Sequence, residues 1–311
     1  MSAALPEKKT AALSFSAETK AELCREKPEN RPCAVAECYG VLLYCNSFTF
    51  QGIRIITASR DFVRRLPRLF RRAFSLDFDV CPETLKDGKN SLLITQREKL
   101  ERIFAAFGSG TSGPLNHHIN LGVLEEEGCR EAFIRGAFLA GGSVTDPEKG
   151  YHLELATSHK SVNREMFSLL LDLNLDPGES SRGMSDLLYF KQADAIADFL
   201  TTAGAPIAAM KVMTAKVERS MRNDITRKTN CDMANADRVV AAAQEQLEAI
   251  RRIALEYGLD SLPDTLRDTA LLRLANPEAS LSELALLSYP KVTKSCLSYR
   301  IKKLVNYKGG E

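Results

Sequence analysis

What this 311-residue sequence lacks narrows its function first. No apolar run approaches the roughly 18 residues that cross a bilayer as a helix, so no membrane-spanning role is expected. Residues 1–20 hold no signal-peptide apolar core, and a cytoplasmic protein is the expectation. None of the eight cysteines (Cys24, Cys33, Cys38, Cys45, Cys81, Cys129, Cys231, Cys296) forms a Cys-x-x-Cys pair. Only four histidines are present, and the adjacent His117-His118 has no helical partner four residues away. Reduced, structural thiols and no metal or cofactor are the expectation. Net charge is scarce too, at +2, so affinity for nucleic acid must come from local patches. What remains is ordinary: 44% hydrophobic and 26% charged residues, in a length that suits two or three domains.

Against that background one stretch stands out. Residues 132–144 read Ala-Phe-Ile-Arg-Gly-Ala-Phe-Leu-Ala-Gly-Gly-Ser-Val, an apolar helix running into a glycine turn. Gly136 carries no side chain, so another backbone can approach there. The partner is in the sequence. Ala36, Gly40 and Ser47 stand 96 positions before Ala132, Gly136 and Ser143. The same offset relates Leu100, Ile103, Phe104 and Gly108 to Ile196, Phe199, Leu200 and Gly204. Matched spacing at both ends of the unit indicates a duplicated module.

Residues Gly136 to Gly142 resemble a worn LAGLIDADG motif, the helix pair at the centre of homing endonucleases. With Asp146-Pro147 and Tyr151-His152-Leu153-Glu154, the phrase is similar to the WhiA family of bacterial transcription regulators. Asn230-Cys231-Asp232-Met233-Ala234-Asn235 resembles a signature of that family at the entry to its C-terminal domain. An active nuclease ends each such helix in an acid that holds a divalent ion. Here those positions are Cys45 and Gly141, a poor donor for a hard cation and no donor at all. Asp146 and Glu154 are nearby acids suited to a solvated turn and a strand.

In chain order, residues 1–14 read as a tail and Ala17–Cys24 as a helix, with Ser16-x-x-Thr19 an imperfect cap. The first module has a helix at 33–45, a strand at Gly52–Ala58, a helix at Asp61–Arg72, strands at Phe74–Cys81 and Ser91–Thr95 around Lys86-Asp87-Gly88, and a helix at Glu98–Phe107. After a connector at 108–120, the second module repeats the order: helix 129–140, strand Tyr151–Thr157, helix 161–173, strands Leu175–Ser180 and Leu187–Phe190, helix 192–203. Arg60, Arg64, Arg65, Arg68, Arg71 and Arg72 stud the first module's central helix and read as a solvated or partner-facing surface. Residues 207–234 read as a basic transition. A helix at Asp237–Tyr257 follows, with Val240, Ala243, Leu247, Ile250, Ala254 and Tyr257 as its apolar stripe and Gly258 as its stop.

The C-terminal helices are short. One spans Asp264–Leu274. Ser280-Leu-Ser-Glu283 is a capping box opening Leu281–Leu287, with Leu284 and Leu287 turned inward. A tight connection with Pro290 leads to a helix at Thr293–Val305 with Leu297, Ile301 and Leu304 inward. That is a helix-turn-helix pattern. No acid lies between Glu283 and Glu311, while Lys291, Lys294, Arg300, Lys302, Lys303 and Lys308 are basic. Lys291, Thr293, Lys294, Ser295, Ser298, Tyr299, Arg300, Lys302 and Lys303 are the candidate DNA contacts, the cations on phosphates and Ser295, Ser298 and Tyr299 on base edges. Arg219, Arg222, Arg227 and Lys228 are candidate auxiliary contacts.

The expected fold class is α+β. A pseudo-two-fold LAGLIDADG-like domain of two duplicated αββαββα-type modules precedes an all-α helix-turn-helix domain. The expected divisions are 1–28 (tail and helix), 29–110 and 111–215 (the modules), 216–258 (basic linker and long helix) and 259–311 (helix-turn-helix). The resemblance implies a non-catalytic regulator of division or sporulation genes that acts on double-stranded DNA at the nucleoid and influences chromosome segregation. It implies RNA polymerase, a sigma factor or another regulator as partner. The competing readings are a metal-dependent endonuclease and a protein-binding scaffold.

Overall fold

The computed structural model describes residues 13–82, 84, 85, 88–108 and 117–309. The expected Lys86-Asp87 turn and most of the 108–120 connector lie outside them. The chain divides into two compact units, Met1–Arg219 and Ser220–Glu311.

The first unit is built on two helices. Helix α1 (Phe15–Leu23) is capped by Ser14 instead of Ser16, whose hydroxyl accepts the Val144 amide at 3.3 Å. Helices α2 (Arg31–Leu43) and α5 (Cys129–Gly141) pack face to face, and their glycines set the approach. A Cβ on Gly40 would sit 2.1 Å from the Phe133 carbonyl oxygen, and one on Gly136 would sit 2.1 Å from that of Glu37. Phe133 and Glu37 are themselves 96 positions apart, so the contact repeats across a pseudo-dyad. Cys33 and Cys129, another such pair, bring their buried sulfurs to 3.7 Å.

Around α2 the first module adds β1 (Ser47–Thr49), β2 (Gly52–Thr57), α3 (Arg60–Phe74), β3 (Asn90–Ile94) and α4 (Arg97–Ala106). Its sheet has the antiparallel order β1-β2-β3. Around α5 the second adds β4 (Gly142–Val144), β5 (Leu153–Thr157), α6 (Lys160–Asp172), β6 (Gly178–Arg182), β7 (Ser185–Phe190) and α7 (Ala193–Ala203). Its antiparallel order is β4-β5-β7-β6. The second module is αββαββα.

The first module departs from that pattern, because residues 74–81 form no strand. Helix α3 runs through Phe74 and ends on Ser75 at φ 56°, in the left-handed region. Val80 makes only an isolated bridge to Leu93. The Asp79 carboxylate takes the Thr95 and Gln96 amides at 2.6 and 2.8 Å, along with the Lys99 ammonium, and so pins the segment without extending the ladder. Burial disfavours the charged form of Asp79, but Lys99 and the two amides outweigh it and hold its carboxyl at about 2.

Nor is the arginine-studded face uniformly solvated. Arg65 is buried and grips the fully buried Glu37 through two hydrogen bonds of 2.6 and 2.7 Å. Arg135 reaches the same carboxylate at 3.3 Å and donates to the Ala203 carbonyl at 3.1 Å. Arg71 pairs with Asp77 at 2.6 Å and Arg72 donates to the Glu29 carbonyl at 2.9 Å, whereas Arg64 and Arg68 are exposed.

Residues 207–234 are no irregular transition. A single helix, α8 (Pro206–Glu256), runs through them, since neither Gly nor Pro interrupts the chain between Pro206 and Gly258. Its buried residues near the C-terminal end are Ala243, Gln246, Leu247, Ala249, Ile250 and Ile253, while Val240, Ala254 and Tyr257 are exposed. In the second unit α9 (Asp264–Ala275), α10 (Leu281–Leu287) and α11 (Lys294–Val305) follow. One apolar cluster joins Ile250, Ile253, Leu262, Leu266, Ala270 and Leu304; another joins Leu284, Ala285, Leu297 and Ile301. Leu287 is exposed, and Ala285 takes the inward position beside Leu284.

Candidate nucleic-acid interface

The C-terminal interface is assembled from local capping chemistry. Ser280 and Glu283 form both bonds of a capping box at 3.3 and 2.7 Å, and the Ser280 groups hold the Glu283 carboxyl below its ordinary range. Just before it, the buried Arg273 donates to the Ala279 carbonyl, tying the end of α9 to the start of α10. In the turn, the Ser288 hydroxyl donates to the Ala285 carbonyl at 2.8 Å and accepts the Val292 amide at 3.1 Å. The Thr293 hydroxyl then caps α11 by accepting the Cys296 amide at 3.2 Å. Leu297 and Ile301 pack on α10, and Leu304 packs on α8 and α9, so three buried side chains fix how α11 rolls. Its other face must therefore point outward.

That face gathers five of the nine candidates. Lys294, Ser295, Ser298, Tyr299 and Lys302 line a concavity of about 350 Å³ whose remaining wall is Leu281 of α10. Lys303 stands apart, its ammonium 5.0 Å above the Tyr299 ring. Lys291 is exposed in the turn, and Thr293 is committed to the cap. Arg300 is half-buried in a different groove, of about 420 Å³, with Thr265 and Asp268 of α9 and Tyr289 of the turn. Leu281, Ser288 and Tyr289 line these grooves without being among the sequence candidates for contact. The capping box marked where α10 starts, and that alone could have pointed to Leu281 as its first residue.

Among the auxiliary candidates, the Arg219 guanidinium is already occupied. It donates to the Pro147 and Glu148 carbonyls at 3.1 and 3.0 Å and lies 4.6 Å over the Tyr151 ring. Arg222, Arg227 and Lys228 are exposed on α8.

The first unit offers different chemistry. At the end of α5, a Cβ on Gly141 would fall 2.6 Å from the Ala156 carbonyl oxygen and 2.9 Å from the Tyr44 ring. At the end of α2, the Cys45 thiol donates to the Leu42 and Ser47 carbonyls, each at 3.2 Å, and burial pushes it up to about 12. The seam between the helices is thus filled by an aromatic ring and a protonated thiol. Among the described residues, the seven strands carry two cations, Arg54 and Arg182, against three acids, Glu154, Glu179 and Asp186. Glu154 engages Ser143, His152 and Arg182, each at 3.3 Å. The strand residues by themselves supply no excess of the positive charge that a phosphate backbone calls for.

Comparisons with known proteins find two domains of one family in the chain. Residues 130–222 match a family model described as the WhiA LAGLIDADG-like domain, and residues 225–307 match the WhiA C-terminal HTH domain. The chain is 34% identical over 305 residues to a probable cell division protein WhiA of Ruminiclostridium cellulolyticum, covering 94% of this chain and 96% of that one. The chain belongs to the WhiA family. A second relative of the same description, from Alkaliphilus oremlandii, is 32% identical over 306 residues, again covering 94% and 96% of the two chains. The crystal structure of full-length WhiA from Thermatoga maritima superposes with a TM-score of 0.58 at 26% identity, over 94% of this chain and 97% of that one. In WhiA terms α5 to α7 lie within the LAGLIDADG-like domain and α9 to α11 within the C-terminal HTH domain. The match to the LAGLIDADG-like model begins at residue 130, so the first module is recognised by its 96-residue offset and its shared dyad.

Proposed function

We propose that this WhiA-family chain is a non-catalytic regulator that binds double-stranded DNA through α11 and controls transcription of division or sporulation genes at the nucleoid. The observation that carries this is the outward face of α11. It presents Lys294, Ser295, Ser298, Tyr299 and Lys302 together, without an acid, on a helix whose roll is fixed by three buried leucine and isoleucine side chains. Lysines at the rim suit phosphates, and the hydroxyl groups near the helix N-terminus suit base edges in a major groove. Lys291, Thr293, Arg300 and Lys303 flank that surface, and Arg222, Arg227 and Lys228 are auxiliary phosphate contacts. Control of these genes extends to chromosome segregation. RNA polymerase, its sigma factor or another regulator is the protein partner in this reading.

The seam supports the non-catalytic reading. A metal-assisted cut needs carboxylates at both helix ends, and restoring one as Gly141→Asp would drive its Cβ into the Ala156 carbonyl. Purified protein with magnesium is expected to leave supercoiled plasmid intact; nicking that co-purifies with the protein would restore the nuclease reading. The regulatory reading is tested by sequencing genomic fragments retained by the full chain. Promoter-containing fragments should be enriched by the wild type and not by a Lys294→Ala/Tyr299→Ala variant. A deletion of residues 220–311 that leaves cell division normal would favour the scaffold instead.

A further inference from the structure

A groove of about 530 Å³ lies in the first unit, between the N-terminus of α2, the C-termini of α3 and α4, and the 3-10 turn Leu121–Leu124. Its floor is apolar, with Val35, Phe74 and Val123 prominent. Two arginines stand at its edge. Arg31 donates Nε to the Ala73 carbonyl at 3.1 Å, and Arg102 donates Nη2 to the Phe74 carbonyl at 2.6 Å. These are consecutive carbonyls at the end of α3, so guanidinium groups from two different helices are held side by side. Each uses one of its five N–H donors on the carbonyl. Glu126, the acid on the rim, accepts from the Asn30 amide at 3.3 Å.

The pseudo-dyad supplies an internal control. At the same 96-residue offset, Arg31, Val35, Arg102 and Ala106 correspond to Glu127, Glu131, Asp198 and Thr202. Three of these four equivalents in the second module are acids. The fold therefore does not require a basic pair over an apolar floor, and the first module has acquired one.

We propose that this groove binds a small amphipathic anion, a carboxylate or phosphate head on an apolar body. The Arg31 and Arg102 guanidinium groups would take the head, and the floor between Val35, Phe74 and Val123 would take the body. The volume suits a small molecule, and the paired planar donors suit two oxygens of one head group. Such a ligand adds an effector site to the regulator and does not depend on how DNA is read.

The test titrates the full-length protein calorimetrically with octanoate and octyl phosphate. Octanol and inorganic phosphate serve as the two halves of that chemistry. One site is expected, with either anion binding at least tenfold more tightly than octanol or phosphate and raising the unfolding midpoint. The stronger of the two anions tells a carboxylate ligand from a phosphate one. Arg102→Gln should weaken binding at least tenfold. Because Arg102 also caps α3, the second variant is Ala105→Glu, an exposed helical position on the groove wall that leaves both arginines in place; it should weaken binding equally. No binding by either anion, equal binding by octanol or by phosphate, or unaltered binding in Ala105→Glu would overturn the proposal and leave the arginines as helix caps alone.

Discussion

At the residue scale, the pseudo-dyad depends on two hydrogen atoms. In an exposed helix, Gly→Ala stabilises by about 1 kcal/mol. At Gly136 the added methyl would meet the Glu37 carbonyl oxygen at 2.1 Å and the Val41 amide at 3.0 Å. The sign should therefore reverse, with a loss of about 3 kcal/mol in urea unfolding of the first unit. Gly40→Ala should match it, since the dyad makes the two positions equivalent. Glu37 is a second such point. It sits where the other module has Phe133, and its carboxylate pairs with two buried guanidinium groups. Glu37→Leu leaves Arg65 and Arg135 unpaired and should cost about 3–5 kcal/mol. The combined loss of Glu37 and Arg65 should be less than additive. Titration adds a third residue-scale expectation. His117 lies against Phe48 and His159, with ring centroids 5.4 and 3.9 Å away. Burial first, and then the neighbouring His159 and His118, lower its pKa from 6.5 to about 4. The unfolded chain then binds the proton more readily, so this contribution is complete above pH 6.5 and declines as pH falls towards 4. Urea midpoints should drop more steeply between about pH 6.5 and 4.5 for the wild type than for His117→Phe.

At the element scale, what the sequence disclosed follows from how local each signal is. The glycines of α2 and α5 were readable because close helix approach admits only small residues. The capping box of α10 and the apolar triplet of α11 were readable because each lies within a few residues of one helix. Strands β1 and β4, of three residues each, are too short for alternation to register. The strand expected at 74–81 had alternation, in Leu76, Phe78 and Val80, but Asp79 turns its side chain to the Thr95 and Gln96 amides and the ladder stops at one bridge. The continuity of α8 was hidden for the opposite reason. Residues 220–242 are exposed almost all round, so no apolar stripe marks them. The ion triad gave one overlooked sign: Glu37 is the lone charge in the apolar run from Cys33 to Cys45. The grouping of the α11 candidates was not legible, because whether Arg300 joins Lys294 depends on α9, which is remote in sequence. The turn invites its own test. Ser288→Ala removes both hydrogen bonds of the hydroxyl and leaves the Val292 amide without that partner. A loss of about 1 kcal/mol in the second unit is expected by thermal unfolding.

At the scale of the whole molecule, a net charge of +2 conceals an uneven distribution. The strands of the LAGLIDADG-like unit carry more acids than bases, whereas α11 carries Lys294, Arg300, Lys302 and Lys303 with no acid. The first unit keeps its dyad packing, while the acid-free basic helix of the second unit is α11. In the proposed function DNA is held by α11. The most direct measurement is equilibrium binding of the full chain to labelled promoter duplex over a salt series, comparing wild type with Lys294→Ala/Lys302→Ala. A steep wild-type slope of log affinity against log salt is expected. The variant should bind more weakly, with a slope shallower by about 2, one for each phosphate that its missing lysines would have neutralised. Equal affinity and equal slope in the two proteins would contradict that claim and place the DNA elsewhere on the chain.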